Sequence, residues 1–194
     1  MESAMKIQTT KIPGVLLIDL KVFKDSRGSF LESYQRNRYK ELGLDVEFVQ
    51  DNHSHSVKNV LRGLHYQVKR PQGHLIYVIR GVIFDVGVDL RPGSPTFGQW
   101  QSFRLSDDQP QQLFMPAGIA HGFCVLSEEV DILYKCTDYF DPDDEGGLLW
   151  SDPSLKIDWP IREPIISERD SRFPVLEQIS EARLPCLSEN KSEK

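Results

Sequence analysis

Residues 75–90 read LIYVIRGVIFDVGVDL. Two apolar, β-branched runs, Leu75–Ile79 and Val82–Leu90, flank the pair Arg80-Gly81, which is turn material. The stretch therefore predicts two short strands joined by a turn.

Working outward, the same signature repeats. Val46–Gln50, Val60–Tyr66, Gln99–Leu105, Gln112–Met115, Gly122–Leu126 and Ile132–Cys136 are further short runs, separated by Arg-Pro-Gly-Ser-Pro, Pro-Ala-Gly and similar breakers. Toward the N-terminus, Val15–Phe23 is an apolar run that ends in Lys24-Asp25-Ser26-Arg27-Gly28, a hairpin turn, and Ser29–Gln35 is the returning strand. Asn37–Leu42 is the one helix the first half predicts, with Asn37 to cap it and Gly43 to end it. So many short strands and so little helix predict an all-β domain, an antiparallel sandwich or jelly-roll barrel with one or a few short helices. Asp138–Trp159, rich in Asp, Pro and Gly, reads as a long ordered loop. Residues 176–194, ending in SENKSEK, read as a polar, mobile tail after one domain over residues 1–175. The second methionine, Met5, suggests that the residues before it are an extension.

The chain has 194 residues, enough for one substantial core. Its 23 Lys and Arg against 29 Asp and Glu leave a net charge of -6, which disfavours a duplex nucleic-acid partner. A small anionic ligand held by a few clustered Arg side chains remains compatible with that balance. Three cysteines, Cys124, Cys136 and Cys186, make neither a disulfide framework nor a zinc knuckle and point to a reducing, cytoplasmic setting. The opening MESAMKIQTT is not a signal peptide, and no apolar run is long enough for a membrane span.

All five histidines, His53, His55, His65, His74 and His121, fall in the strand-rich middle, where a barrel can aim several into one cavity. His53 and His55 form an H-x-H pair on one strand face, a pattern open to a metal but better read as surface or hydrogen-bonding residues without a third ligand. His65 follows Arg62-Gly63 at the end of a strand. An imidazole there titrates near neutrality and can abstract a proton from carbon if a carboxylate orients it. Taken alone it is equally a packed core residue, and Tyr134 taken alone is an ordinary strand aromatic.

The surroundings of His65 decide the matter. RGSFLESY at 27–34, FVQDNHS at 48–54, NVLRGLHYQ at 59–67, PQG at 71–73, RGVIFDVGVDLR at 80–91, SPTFGQW at 94–100, PAGIAHGF at 116–123, YKCTDYFDP at 134–142, EGGLLWSDP at 145–153 and ISERD at 166–170 together resemble the dTDP-4-dehydrorhamnose 3,5-epimerases. The resemblance runs in order over about residues 6–175. It implies a cupin-type jelly roll, working without metal or other cofactor on a dTDP-sugar, usually as a homodimer. It implies His65 as the base, Asp170 as its carboxylate partner and Tyr134 as the acid on the opposite face of the sugar. It further implies that Arg27, Glu32, Gln50, Asn52, Arg62, His121, Glu145 and Arg169 line the nucleotide-sugar site, with Arg27 and Glu32 reaching in from a partner subunit and Tyr139 near the sugar. One position departs: after PQG the family usually carries a Lys, associated with the enolate oxygen, where this chain has His74. A neutral imidazole still donates one hydrogen bond, but carries charge only when protonated.

The chemistry fits those roles. A 4-keto group acidifies the protons on both neighbouring carbons, so inversion at C3 and C5 needs a base, an opposite-face acid and a donor to the enolate, and no redox group. Competing readings are a sister epimerase acting at one carbon or on another nucleotide, a metal-dependent cupin, and a non-catalytic sugar-binding cupin.

Overall fold

A computed structural model describes residues 5–187. Thirteen strands dominate them: β1 Lys6–Thr9, β2 Leu16–Asp19, β3 Val22–Asp25, β4 Gly28–Leu31, β5 Gln50–Val57, β6 Leu61–Gln67, β7 His74–Arg80, β8 Val82–Asp89, β9 Trp100–Ser106, β10 Gln111–Met115, β11 Ile119–Val125, β12 Glu129–Cys136 and β13 Glu145–Gly147. The described residues hold a single α-helix, α1 at Arg36–Glu41, and three 3₁₀ turns near the C-terminus, Asp170–Arg172, Leu176–Gln178 and Glu181–Arg183.

Strand order is β1-β2-β10-β7-β12-β5 in one sheet and β13-β6-β11-β8-β9 in the other, with β3 and β4 as a separate hairpin. All pairings in the two large sheets are antiparallel. The sheets lie face to face around a shared core of Ile76, Val78, Leu113, Met115, Val130 and Ile132 from one and Ile83, Leu105, Ile119, Phe123 and Val125 from the other. This is the sandwich that the alternation of short strands and turns predicts.

Both decisive runs are strands, but β7 and β8 lie in opposite sheets rather than pairing with each other, and each is covered on both faces. Outward-facing Leu75 and Tyr77 pack beneath Tyr39 of α1, Leu44, Tyr34 and Phe48. Outward-facing Val86 and Val88 pack beneath Leu148, Leu155, Trp159 and the C-terminal Leu176, Ile179 and Leu184. Burying an apolar side chain on either face contributes about 1.5–3 kcal/mol, so both coats are part of what holds the sheets.

Several details differ from expectation. The run Val15–Phe23 is split between β2 and β3, and the returning strand β4 ends at Leu31 rather than Gln35. The helix starts one residue earlier, because the Gln35 side chain, not Asn37, accepts from the N–H of Arg38, while Gly43 ends it at a φ of +94°. The strand expected at Val46–Gln50 instead begins at Gln50, where pairing with Cys136 starts. The loop at 138–159 contains the short strand β13, paired to β6. Residues 176–187 do not form a free tail, since their apolar side chains close the second outer layer and the N–H of Cys186 donates to the Val68 carbonyl; the rest of that segment, 188–194, lies outside the described residues. So do residues 1–4 of the expected extension, whereas Met5 packs against the α1 layer.

Candidate active site

Where the two sheets part beyond the shared core, a cavity of about 470 Å³ opens. One wall belongs to the six-stranded sheet and presents Gln50, Asn52, His74 and Tyr134. The other belongs to the five-stranded sheet and presents Arg62, His65, His121 and Glu145, with Arg169 from the chain after β13. Of the thirteen residues expected at a site, these nine line the cavity, and Asp170 stands directly behind His65.

His65 Nε2 is 3.0 Å from Asp170 Oδ1, and Asp170 is almost wholly buried. Burial alone would raise the carboxyl's pKa. The bond from His65, the charge of that imidazole, the Gly63 N–H at 3.1 Å and Ser167 together overcome it and hold Asp170 well below the usual carboxylate range. An ionised carboxylate only accepts, so it fixes a proton on Nε2, and in the neutral form of the ring the lone pair then lies on Nδ1. Glu145 Oε1 lies 3.9 Å from Nδ1, and Phe173 meets the imidazole edge-on at 5.7 Å between ring centres. The ring is thus held on one edge by Asp170 and on a face by Phe173.

Two glycines make that arrangement possible. Gly63 has a φ of +105°, and a Cβ there would sit 2.5 Å from the His121 carbonyl oxygen. A Cβ on Gly147 would reach within 2.3 Å of the Phe173 ring.

The remaining groups have definite partners. Arg62 leaves β6 to bond Ser56 Oγ at 3.0 Å and the His55 carbonyl at 3.2 Å, spanning the two sheets at the cavity edge. Arg169 pairs with Glu145 and, at 3.2 Å, with Asp170. His121 Nε2 is 2.9 Å from Oδ2 of Asp85, a carboxylate with no solvent exposure whose other oxygen has no partner. His74 lies between His121 and Tyr134, with ring centres 5.9 and 5.7 Å away. Removal from water, and then the charges of His121 and His65, lower its pKa to about 3, so it is neutral at pH 7. Burial raises the Tyr134 phenol, as does the neighbouring Cys136, against the opposing pull of Arg62 and Asn52.

Three expected residues are not at the cavity of a single chain. Arg27, at the tip of the β3–β4 hairpin, pairs with Asp25 and borders a separate hollow with Phe23 and Phe30. Glu32 pairs with Arg38. Tyr139 is 58% exposed, and its neighbour Phe140 lines the cavity instead. His53 and His55 converge on one oxygen of Asp131, at 2.8 and 3.2 Å, as the hydrogen-bonding reading expects.

Asp85, Phe140 and Phe173 are contributions the sequence reading missed. Asp85 did leave a signal, an acid in the middle of the apolar run of β8, since an unpaired carboxylate is not kept in a core.

The dTDP-4-dehydrorhamnose 3,5-epimerase family model matches residues 9–178 of this sequence. The chain belongs to this family. It is similar to the dTDP-4-dehydrorhamnose 3,5-epimerase of Pseudomonas aeruginosa, 52% identical over 86% of this chain and 93% of that one. It is 47% identical to a crystal structure of a dTDP-6-deoxy-D-glucose-3,5-epimerase from Legionella pneumophila in complex with dTDP-4-keto-L-rhamnose, with a TM-score of 0.91 over 96% of this chain and all of that one. A relative from Streptomyces niveus, 40% identical over 93% of this chain and 88% of its own length, is named a dTDP-4-dehydrorhamnose 3-epimerase. The cupin-type jelly roll that the resemblance implies is the fold of this chain, and as a member of an epimerase family the protein is an isomerase.

Proposed function

We propose that the protein converts dTDP-4-dehydro-6-deoxy-D-glucose to dTDP-4-dehydro-L-rhamnose by inverting C3 and C5, in dTDP-L-rhamnose biosynthesis. The observation that carries this is that His65, backed by Asp170, stands on one sheet and Tyr134 on the facing sheet, either side of one cavity. His65 Nδ1 takes the proton from a carbon next to the keto group. Tyr134, protonated at neutral pH, returns one from the other face. Neutral His74 donates to the enolate oxygen through one N–H, and Arg62 and Arg169 meet the diphosphate in a protein whose net charge would otherwise repel it.

The test is incubation with that sugar nucleotide in heavy water, followed by proton NMR. Deuterium at both C3 and C5, with product of the L-series, is expected. Deuterium at C3 alone would make it a single-carbon epimerase like the one named in Streptomyces niveus, and binding without exchange would overturn catalysis altogether.

The reading extends to a cytoplasmic homodimer. Its support is that all three cysteines are free thiols, and that Arg27 is 88% exposed on a hairpin carrying the bare Phe30, away from its own chain's cavity. Among the described residues no helix is long and apolar enough to cross a membrane. Sedimentation should give the mass of two chains, and Arg27→Ala should weaken dTDP binding in that dimer; a monomer with full affinity would refute the arrangement.

A further inference from the structure

The wall of the cavity that carries Tyr134 contains a row of side-chain amides whose orientation is dictated from one end. The main-chain N–H of Phe140 donates to Gln50 Oε1 at 3.0 Å. A main-chain N–H can only donate, so the oxygen of Gln50 has to face it, whichever way the amide would otherwise turn. The Nε2 of Gln50 then points the other way and donates to Asn52 Oδ1 at 3.0 Å. This in turn leaves the Nδ2 of Asn52 on the side away from Gln50, where one of its two N–H groups donates to Cys136 Sγ at 3.4 Å.

The starting point of the row is itself fixed. The next residue, Asp141, is clamped by a buried side chain: its N–H donates to Gln67 Oε1 at 2.9 Å, and Gln67 Nε2 donates to its carbonyl at 2.8 Å. The loop after β12 therefore sets the direction of every bond in the row.

At its far end, Asn52 is the residue directly opposite Tyr134 in the β5–β12 register, and both side chains line the cavity. Directly opposed residues on one face of a strand pair have their Cβ atoms about 4.5–5.5 Å apart. We propose that Asn52 is a positioning residue for Tyr134: by presenting only N–H groups toward the phenol it denies Tyr134 a protein acceptor and keeps the hydroxyl proton aimed at the substrate. Were the amide reversed, its carbonyl would accept that proton and Tyr134 would face the sugar with a lone pair. The inference rests on the reading of Tyr134 as the opposite-face acid.

Two substitutions reverse the polarity by different routes. Asn52→Asp puts acceptors opposite the phenol directly. Gln50→Glu touches neither Asn52's identity nor Tyr134, but its carboxylate accepts at both ends and turns the Asn52 amide round. In both, product formation should fall at least tenfold relative to solvent exchange of the substrate protons, a ratio that does not depend on how tightly the substrate binds. A readout independent of turnover is the carbon-13 resonance of the Tyr134 phenol, assigned by its absence in Tyr134→Phe; its titration should move to higher pH in both variants. If both keep the wild-type ratio of product to exchange and an unmoved phenol titration, the positioning role is overturned. Tyr134→Phe run alongside separates the two levels. Inversion lost there but kept in the polarity variants refutes the role of Asn52 alone, and inversion kept in Tyr134→Phe refutes both.

Discussion

At the scale of single residues, the division of labour on the His65 ring sets the first expectation. Asp170 is an acceptor-only group against Nε2, so replacing it by an amide that can also donate removes both the charge that supports the imidazolium and the constraint on the tautomer. His65→Asn should abolish exchange at both carbons while dTDP still binds, and Asp170→Asn should slow exchange by roughly 10²- to 10⁴-fold. Exchange at the wild-type rate in either variant would remove that residue from the dyad. His74 gives a second expectation, with a sign that can be worked out. Its pKa is lowered to about 3 in the folded chain, from an ordinary value of 6.5. Between those values the unfolded chain takes up a proton that the folded chain refuses, so this residue makes stability fall as pH drops from about 6.5 toward 3. Urea midpoints measured from pH 7 to 4.5 should therefore decline more steeply for the native chain than for His74→Gln; parallel declines would show that His74 is protonated in the fold. It also follows that kcat/KM should have no limb belonging to His74 near pH 6.5, whereas His74→Lys places a cation beside the enolate. The places of His65 and Tyr134 at the cavity were legible because each sits in a long motif, but Phe173 and Asp85 act through burial and packing, and no spacing in the chain encodes which ring will lie against His65.

At the scale of elements, β13 shows how little chain can matter to the site. It is three residues long, yet it supplies Glu145 to the cavity and Gly147 to the surface on which Phe173 rests. Gly147→Ala should push Phe173 off its seat against His65. Overpacking of this kind costs about 1–3 kcal/mol, so a melting temperature lowered by several degrees together with a reduced kcat is expected; an unchanged enzyme would mean the ring can yield without cost. Such a strand escapes sequence reading because it has no alternation to detect, only an Asp-rich loop that pairs with the edge of β6. The central strands β7, β8 and β11 were legible for the opposite reason, because burial on both faces selects apolar side chains at most positions, whereas the polar β5 was not. The helix cap went to Gln35 rather than Asn37 because one residue's shift lets the amide reach the Arg38 N–H, a choice too fine for pattern alone.

At the scale of the whole molecule, the last described residues run across the outer layer rather than away from it. Arg183 Nη2 donates to the Glu145 carbonyl at 3.2 Å, and its own carbonyl accepts from Tyr66 Oη at 3.0 Å. This segment lies past the end of the family match at residue 178. Ending the chain after Gln178 should lower the melting temperature and raise KM, as β13 loses its brace; a truncated enzyme with native stability and KM would make the segment dispensable. The polar composition of 176–194 concealed this role, since three apolar side chains spaced along it suffice to dock it.

The facing-sheet architecture has one further consequence. His65 stands on one sheet and Tyr134 on the other, so the gap between the proposed base and acid is spanned by the packing of the two sheets. Between the sheets lies one shared core that includes Ile132, Met115 and Ile119, and Ile132 and Ile119 also line the cavity. Interiors packed at crystal-like density do not compress. The apolar core is in this sense a shim, and a methylene trimmed from it changes the clearance between the two walls without touching a polar group.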